Sequence, residues 1–164
     1  MAKTETLQPL WEVNQEKREW VVETICLGIL RVAESQNFCV PVGELPRIAS
    51  MTVEVLRKEG AWLPLGFQEY GSGDNVDIHS REVGRAIHTL KQSGQVERHV
   101  FARKNNWQHG ESYWVTGVGD LVYDRNKQYM DGLFKQGGTS IEKFERYAGE
   151  IIAAYAAGLR AAKR

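Results

Sequence analysis

From Asn14 to Glu34 the residues Trp20, Val21, Ile25, Gly28, Ile29 and Val32 recur at three- and four-residue steps, with Glu16, Lys17, Arg18, Glu19, Glu23 and Arg31 mostly between them. That spacing predicts an amphipathic helix that stops near Ser35-Gln36-Asn37. Phe38-Cys39-Val40-Pro41 is too short for a helix and fits a brief strand or an extended entry. Between Val42 and Glu59, Leu45, Ile48, Ala49, Val53 and Leu56 share a helical face, which Pro46 kinks or restarts before Gly60 stops it. Residues 60–79 are less regular: Trp62, Leu63, Leu65, Phe67 and Tyr70 alternate roughly like a strand, and GSGDN is a turn signal. They read as a hairpin-like insertion or a large loop whose aromatics cover the core, or else frame a ligand pocket or partner surface.

The next pattern is clearer. Ser80 offers an N-cap hydroxyl, and Val83, Ala86, Ile87 and Leu90 form the buried stripe of a helix ending at Gly94. Val96, Arg98 and Val100 then alternate with Glu97, His99 and Phe101, and Tyr113, Trp114 and Val115 lie in a second strand-like run. The intervening KNNWQHG supplies turn chemistry, so the two runs predict a hairpin. After Gly119 a polar helix is expected through Phe134, with Leu121, Val122, Met130 and Leu133 inward. Gln136-Gly137-Gly138 breaks it. Thr139 to Glu142 reads as a capping box, and Ile141, Phe144, Ala148, Ile151, Tyr155 and Leu159 follow at the spacing of a seam between helices. The predicted fold class is mostly α with a small antiparallel β-hairpin, an α+β arrangement.

Composition changes this picture only where it is uneven. The 164 residues are 42% hydrophobic, enough to bury a real core. The 21 basic and 21 acidic residues cancel, which argues against coating nucleic acid by charge alone. Positive charge is nevertheless local: residues 80–116 carry six Lys or Arg against three Asp or Glu, whereas 37–79 carry three against six. A localised patch is the form that matters to a polyanion. Cys26 and Cys39 form no CxxC and have no His at ligand spacing, so neither a zinc site nor a disulfide framework is suggested. His88, His99 and His109 sit on a helix, a strand and a tip with no further ligands to complete a metal site. Neither a signal-peptide stretch nor a membrane-length apolar run is legible, so the cytoplasm is the expected compartment, with no cofactor and no membrane partner.

The order helix, short strand, helix, helix, two-stranded hairpin resembles a winged-helix domain, that is, a winged helix-turn-helix. SREVGRAIHTLKQSGQVER, from Ser80 to Arg98, is similar to the stretch in which winged-helix regulators of the MarR and PadR kinds run from recognition helix through a glycine into the first wing strand. YWVTG at 113–117 resembles the returning strand. The insertion at 60–79 departs from the compact form, in which the second and third helices are joined by a short turn. The resemblance implies a winged-helix-like domain over 14–117 and a C-terminal helical dimerisation segment over 118–164.

It also implies a site. A helix can enter the major groove and present side chains to base edges while basic neighbours meet phosphates. Ser80, Arg81, Arg85, His88, Thr89 and Lys91 are the expected DNA-binding residues on the helix, and Arg103, Lys104, Asn105, Asn106 and Trp107 those on the wing. Trp107 at a turn tip either packs back or touches a partner. Two copies on adjacent half-sites would strengthen binding, and Ile141, Phe144, Ala148, Ile151, Tyr155 and Leu159 are the expected dimerisation seam. No nucleophile elbow, phosphate loop, HExxH or Cys/His pairing supports an enzyme. The expected function is therefore that of a homodimeric, sequence-specific binder of double-stranded DNA, as a transcriptional regulator or a plasmid or phage DNA-organising protein. The alternative is a winged helix used as a protein-interaction module through 60–79.

Overall fold

The computed structural model describes residues 14–73, 76–101 and 110–162. It is α+β, mostly helical, with five α-helices and two small antiparallel sheets. Helix α1 (Gln15–Ser35) begins at Asn14, whose side chain accepts a hydrogen bond from the Lys17 amide. It is the central element, packed against α3 (Arg81–Gln92), α4 (Gly117–Gln136), α5 (Ile141–Ala162) and β5 (Gly110–Val115). Neighbours on several sides explain why burial exceeds one stripe: Val22, Cys26, Leu27 and Leu30 are inside as well as Val21, Ile25 and Ile29. Trp20, expected inward, is at the surface, 37% exposed.

Pro46 acts as a restart. A 3-10 turn over Val42–Glu44 hands over to α2 (Leu45–Lys58), with the proline in the first turn where its missing N–H costs nothing. Strand β1 (Val40–Pro41) pairs antiparallel with β5, and β5 with β4 (Val96–Phe101), giving the sheet order β1-β5-β4. Residues 60–79 resolve into two parts. In the first, Ala61, Leu63 and Leu65 are buried, and the Arg57 guanidinium donates to the Leu63 and Leu65 carbonyls at 3.0 and 2.5 Å. In the second, β2 (Gln68–Tyr70) and β3 (Asp77–His79) pair as a largely exposed hairpin held to α2 by a bond from Arg47 to the Val76 carbonyl.

Two sequence expectations for the C-terminal part are corrected. On α4, Leu121 lies outward at 57% exposure and Val122 is half-buried, while Tyr123, Met130, Leu133 and Phe134 form the inner face. The α5 N-terminus is capped by Ser140, whose Oγ accepts from the Lys143 amide at 3.1 Å, and by Asp131 of α4, which accepts from the Ile141 amide at 2.9 Å. Thr139 is not the cap: its hydroxyl is buried without a hydrogen-bond partner among the described residues. Tyr123, Met130, Leu133, Phe134, Ile141, Phe144, Ala148 and Ile152 of the C-terminal helices share one core with buried residues from Val21 to Val115. Gly28 makes this possible, because a β-carbon there would sit 2.5 Å from the Phe144 ring.

Candidate nucleic-acid interface

Helix α3 forms because Ser80, in an extended conformation, accepts a hydrogen bond from the Val83 amide at 3.2 Å and so satisfies an end donor. It ends where Gly94 takes a φ of +74°, a conformation that glycine adopts without a side-chain clash. Val83, Ala86, Ile87 and Leu90 are buried, which fixes the rotation of the helix. The opposite face carries Arg81, Arg85, His88, Thr89 and Lys91, all exposed. Among the described residues none of these five side chains makes an ion pair or hydrogen bond, so both arginine forks are free to meet carbonyl, base or phosphate acceptors.

Two cavities flank this face. One, of about 790 Å³, lies between α1, residues 62–65 and the Arg85, His88 and Thr89 side of α3. The other, of about 550 Å³, lies between the 3-10 turn, the β2–β3 hairpin and the Arg81, His88 and Lys91 side. The first also carries Glu19, Glu23 and Glu82, so charge around Arg85 is mixed. Glu82 is engaged through a bond from the Gly66 amide at 2.5 Å.

The hairpin ribbon projects beyond the core. Val96 is buried at its base, whereas Val100 is 69% exposed. Arg98 is taken up by an ion pair with Glu111 across the strands, and His99 contacts Glu97 at 3.0 Å and meets the Trp114 ring edge to face. In the described part of the ribbon Arg98 is therefore paired and two carboxylates stand against this one arginine. Arg103, Lys104, Asn105, Asn106 and Trp107 lie outside the described residues.

The expected dimer seam is corrected for half of its members. Ile141, Phe144 and Ala148 are buried against the chain's own helices, Phe144 meeting Phe134 at 5.8 Å between ring centres. Ile151 and Tyr155 are half-buried, Tyr155 packing edge to face on Phe38. The side chain of Leu159 lies outside the described residues. An apolar seam records that a partner exists but not whose chain it belongs to, and here α1 and α2 supply it.

Sequence reading missed two features. The first joins α1, α4 and α5: Arg31 pairs with Asp124 at 2.6 Å, and Glu145 accepts from the Tyr123 hydroxyl at 2.8 Å and pairs with Lys127 at 3.1 Å. The second is Glu23, a carboxylate of α1 that lines the 790 Å³ cavity and a further one of about 510 Å³. Burial, and then the Glu19 carboxylate, push Glu23 up to about 7. Its signal was a lone acid inside the apolar run VVETICLGIL, one turn after Glu19.

No known protein family matches this chain, and no curated protein or solved structure is detectably similar to it. Among the described residues no helix is long and apolar enough to cross a membrane.

Proposed function

We propose that this chain is a winged-helix protein of the cytoplasm that binds double-stranded DNA sequence-specifically, with α3 in the major groove and the β4–β5 ribbon as the wing. One observation carries the reading: α3 buries one face completely and keeps Arg81, Arg85, His88, Thr89 and Lys91 exposed and unpaired among the described residues. The element order and the β1-β5-β4 sheet agree with such a layout. Binding as a homodimer belongs to the same reading, because one domain with few phosphate contacts is weak. The buried Ile141, Phe144 and Ala148 are not available to it, so a dimer through α5 would use Ile151, Tyr155 and Leu159. A role as a transcriptional regulator or a plasmid or phage DNA-organising protein follows from this activity.

The test is fluorescence anisotropy of duplex DNA over a series of salt concentrations, with solution mass measured alongside. Affinity should fall linearly in log–log form with salt as counterions are released. Arg81→Ala with Arg85→Ala should lower affinity at least about 30-fold, from about 1 kcal/mol or more per arginine. A folded double variant that keeps its affinity would sink the reading. A protein-interaction role is the second reading, favoured by Tyr70 standing exposed on the β2–β3 hairpin against the His79 ring. Indifference to DNA at low salt, with a partner lost on Trp62→Ala or Phe67→Ala, would favour it.

A further inference from the structure

The cavity of about 510 Å³ lies where α1, the end of α3 and α4 meet, away from the exposed face of α3. Leu27, Leu90 and Met130 supply apolar wall, and Trp20 and Tyr129 stand at its edge with ring centres 6.2 Å apart at an interplanar angle of 70°. Among the described residues that line it Glu23 alone is charged, and its carboxylate makes no hydrogen bond or ion pair with them. Thr24, Gln95 and Asn126 add neutral polar groups.

Such a wall selects by charge as well as by shape. Apolar surface favours a ligand with little hydration of its own, aromatic faces attract a cation through the ring quadrupole, and an uncompensated carboxylate in a partly desolvated place favours positive charge further. The same wall is hostile to an anion. We propose that this cavity is a binding site for a hydrophobic organic monocation, with Glu23 as counter-ion and Trp20 and Tyr129 as flanking rings. The raised proton affinity of Glu23 has the same origin, since burial, and then the Glu19 carboxylate, disfavour the charged form, and an incoming cation would offset both. Arg31 and Lys127 lie over the ring of Tyr123, which lines the cavity, and are held by Asp124 and Glu145, while Arg18 and Arg85 line the other cavity that Glu23 borders. The inference is independent of whether α3 binds DNA.

The experiment is isothermal titration of the full chain, without DNA, at pH 8, using two probes of matched size and opposite charge, tetraphenylphosphonium and tetraphenylborate. The phosphonium should bind one per chain at least tenfold more tightly than the borate. Glu23→Gln should weaken the phosphonium at least tenfold and should not weaken the borate. Tyr129→Leu, at a site 51% exposed and therefore safe for folding, should weaken the phosphonium several-fold. Equal binding of the two ions, an unchanged Glu23→Gln titration, or no phosphonium binding at millimolar concentration would each overturn the proposal. Were Glu23→Gln to unfold, unchanged binding by Tyr129→Leu would overturn it instead.

Discussion

Gly28→Ala tests how α1 seats the two C-terminal helices. The β-carbon it adds would lie 2.5 Å from Phe144 Cε2 and 3.1 Å from the Tyr123 hydroxyl oxygen. Ordinary carbon–carbon contact is about 3.5–4.0 Å, so the overlap is about 1 Å. Neither neighbour yields easily. Phe144 is fully buried against Phe134, and the Tyr123 hydroxyl is held by Glu145 at 2.8 Å. Overpacking of this kind costs about 1–3 kcal/mol, and alanine's better helix propensity returns at most about 1 kcal/mol. A net loss of about 1–2 kcal/mol is expected, or about 2–8 °C in Tm for a chain of this size. The assay is urea and thermal unfolding followed by circular dichroism. Gly132→Ala on the open face of α4, where an added β-carbon meets nothing within 4 Å, serves as control and should gain up to about 1 kcal/mol. Phe144→Leu should relieve the clash, giving a coupling of about 1 kcal/mol or more in a double-mutant cycle. A Gly28→Ala protein as stable as the parent, or a cycle without coupling, would refute the packing described.

Three further outcomes are expected. Ser80→Ala removes the α3 cap and should cost about 1 kcal/mol of stability in denaturant titration. Asp131 is held below the ordinary carboxylate range, first by the Ile141 amide and then by Lys135, so its contribution is complete above its unfolded value and lost as pH falls through its folded one. Asp131→Asn should therefore lower stability by about 1 kcal/mol near neutrality and flatten the acid limb of the stability–pH curve. Glu23 has the opposite sign: its carboxyl is raised from 4.5 to about 7, so the native state binds more protons and stability falls as pH rises between those values. Full linkage corresponds to about 3 kcal/mol, and solvent screening of a half-buried group reduces this to about 1–2 kcal/mol. Denaturant titrations at pH 5 and pH 8 should show that loss in the parent and its absence in Glu23→Gln.

Local chemistry accounts for what was legible in advance. The α3 cap at Ser80, its stripe of Val83, Ala86, Ile87 and Leu90, and its stop at Gly94 are interactions between residues within one helix and its ends, so periodicity and capping rules suffice to find them. The exposed face of Arg81, Arg85, His88, Thr89 and Lys91 then follows by geometry alone. The β4–β5 hairpin was readable for the same reason, being a pairing of neighbours in the chain. The α5 cap was misplaced by one residue because Thr139 and Ser140 are equally able in composition, and only packing decided which hydroxyl faced the helix end.

The sequence by itself determined which residues form α2, α3 and the β4–β5 hairpin and which side of α2 and α3 is apolar. Only the tertiary structure decided what each apolar side meets. The pairing of Val40 with Tyr113 joins residues far apart in the chain, and nothing local encodes it. The seam of Ile141, Phe144 and Ala148 has the spacing of a helix–helix contact whether the partner is a second chain or the chain's own α1 and α2. The same holds for Glu23, an ordinary acid on a helix until the packing of neighbouring elements half-buries it at the edge of two cavities. Periodicity depends on residues a few positions apart, whereas partnership depends on which distant surfaces are brought together, and a one-dimensional pattern carries no record of that choice.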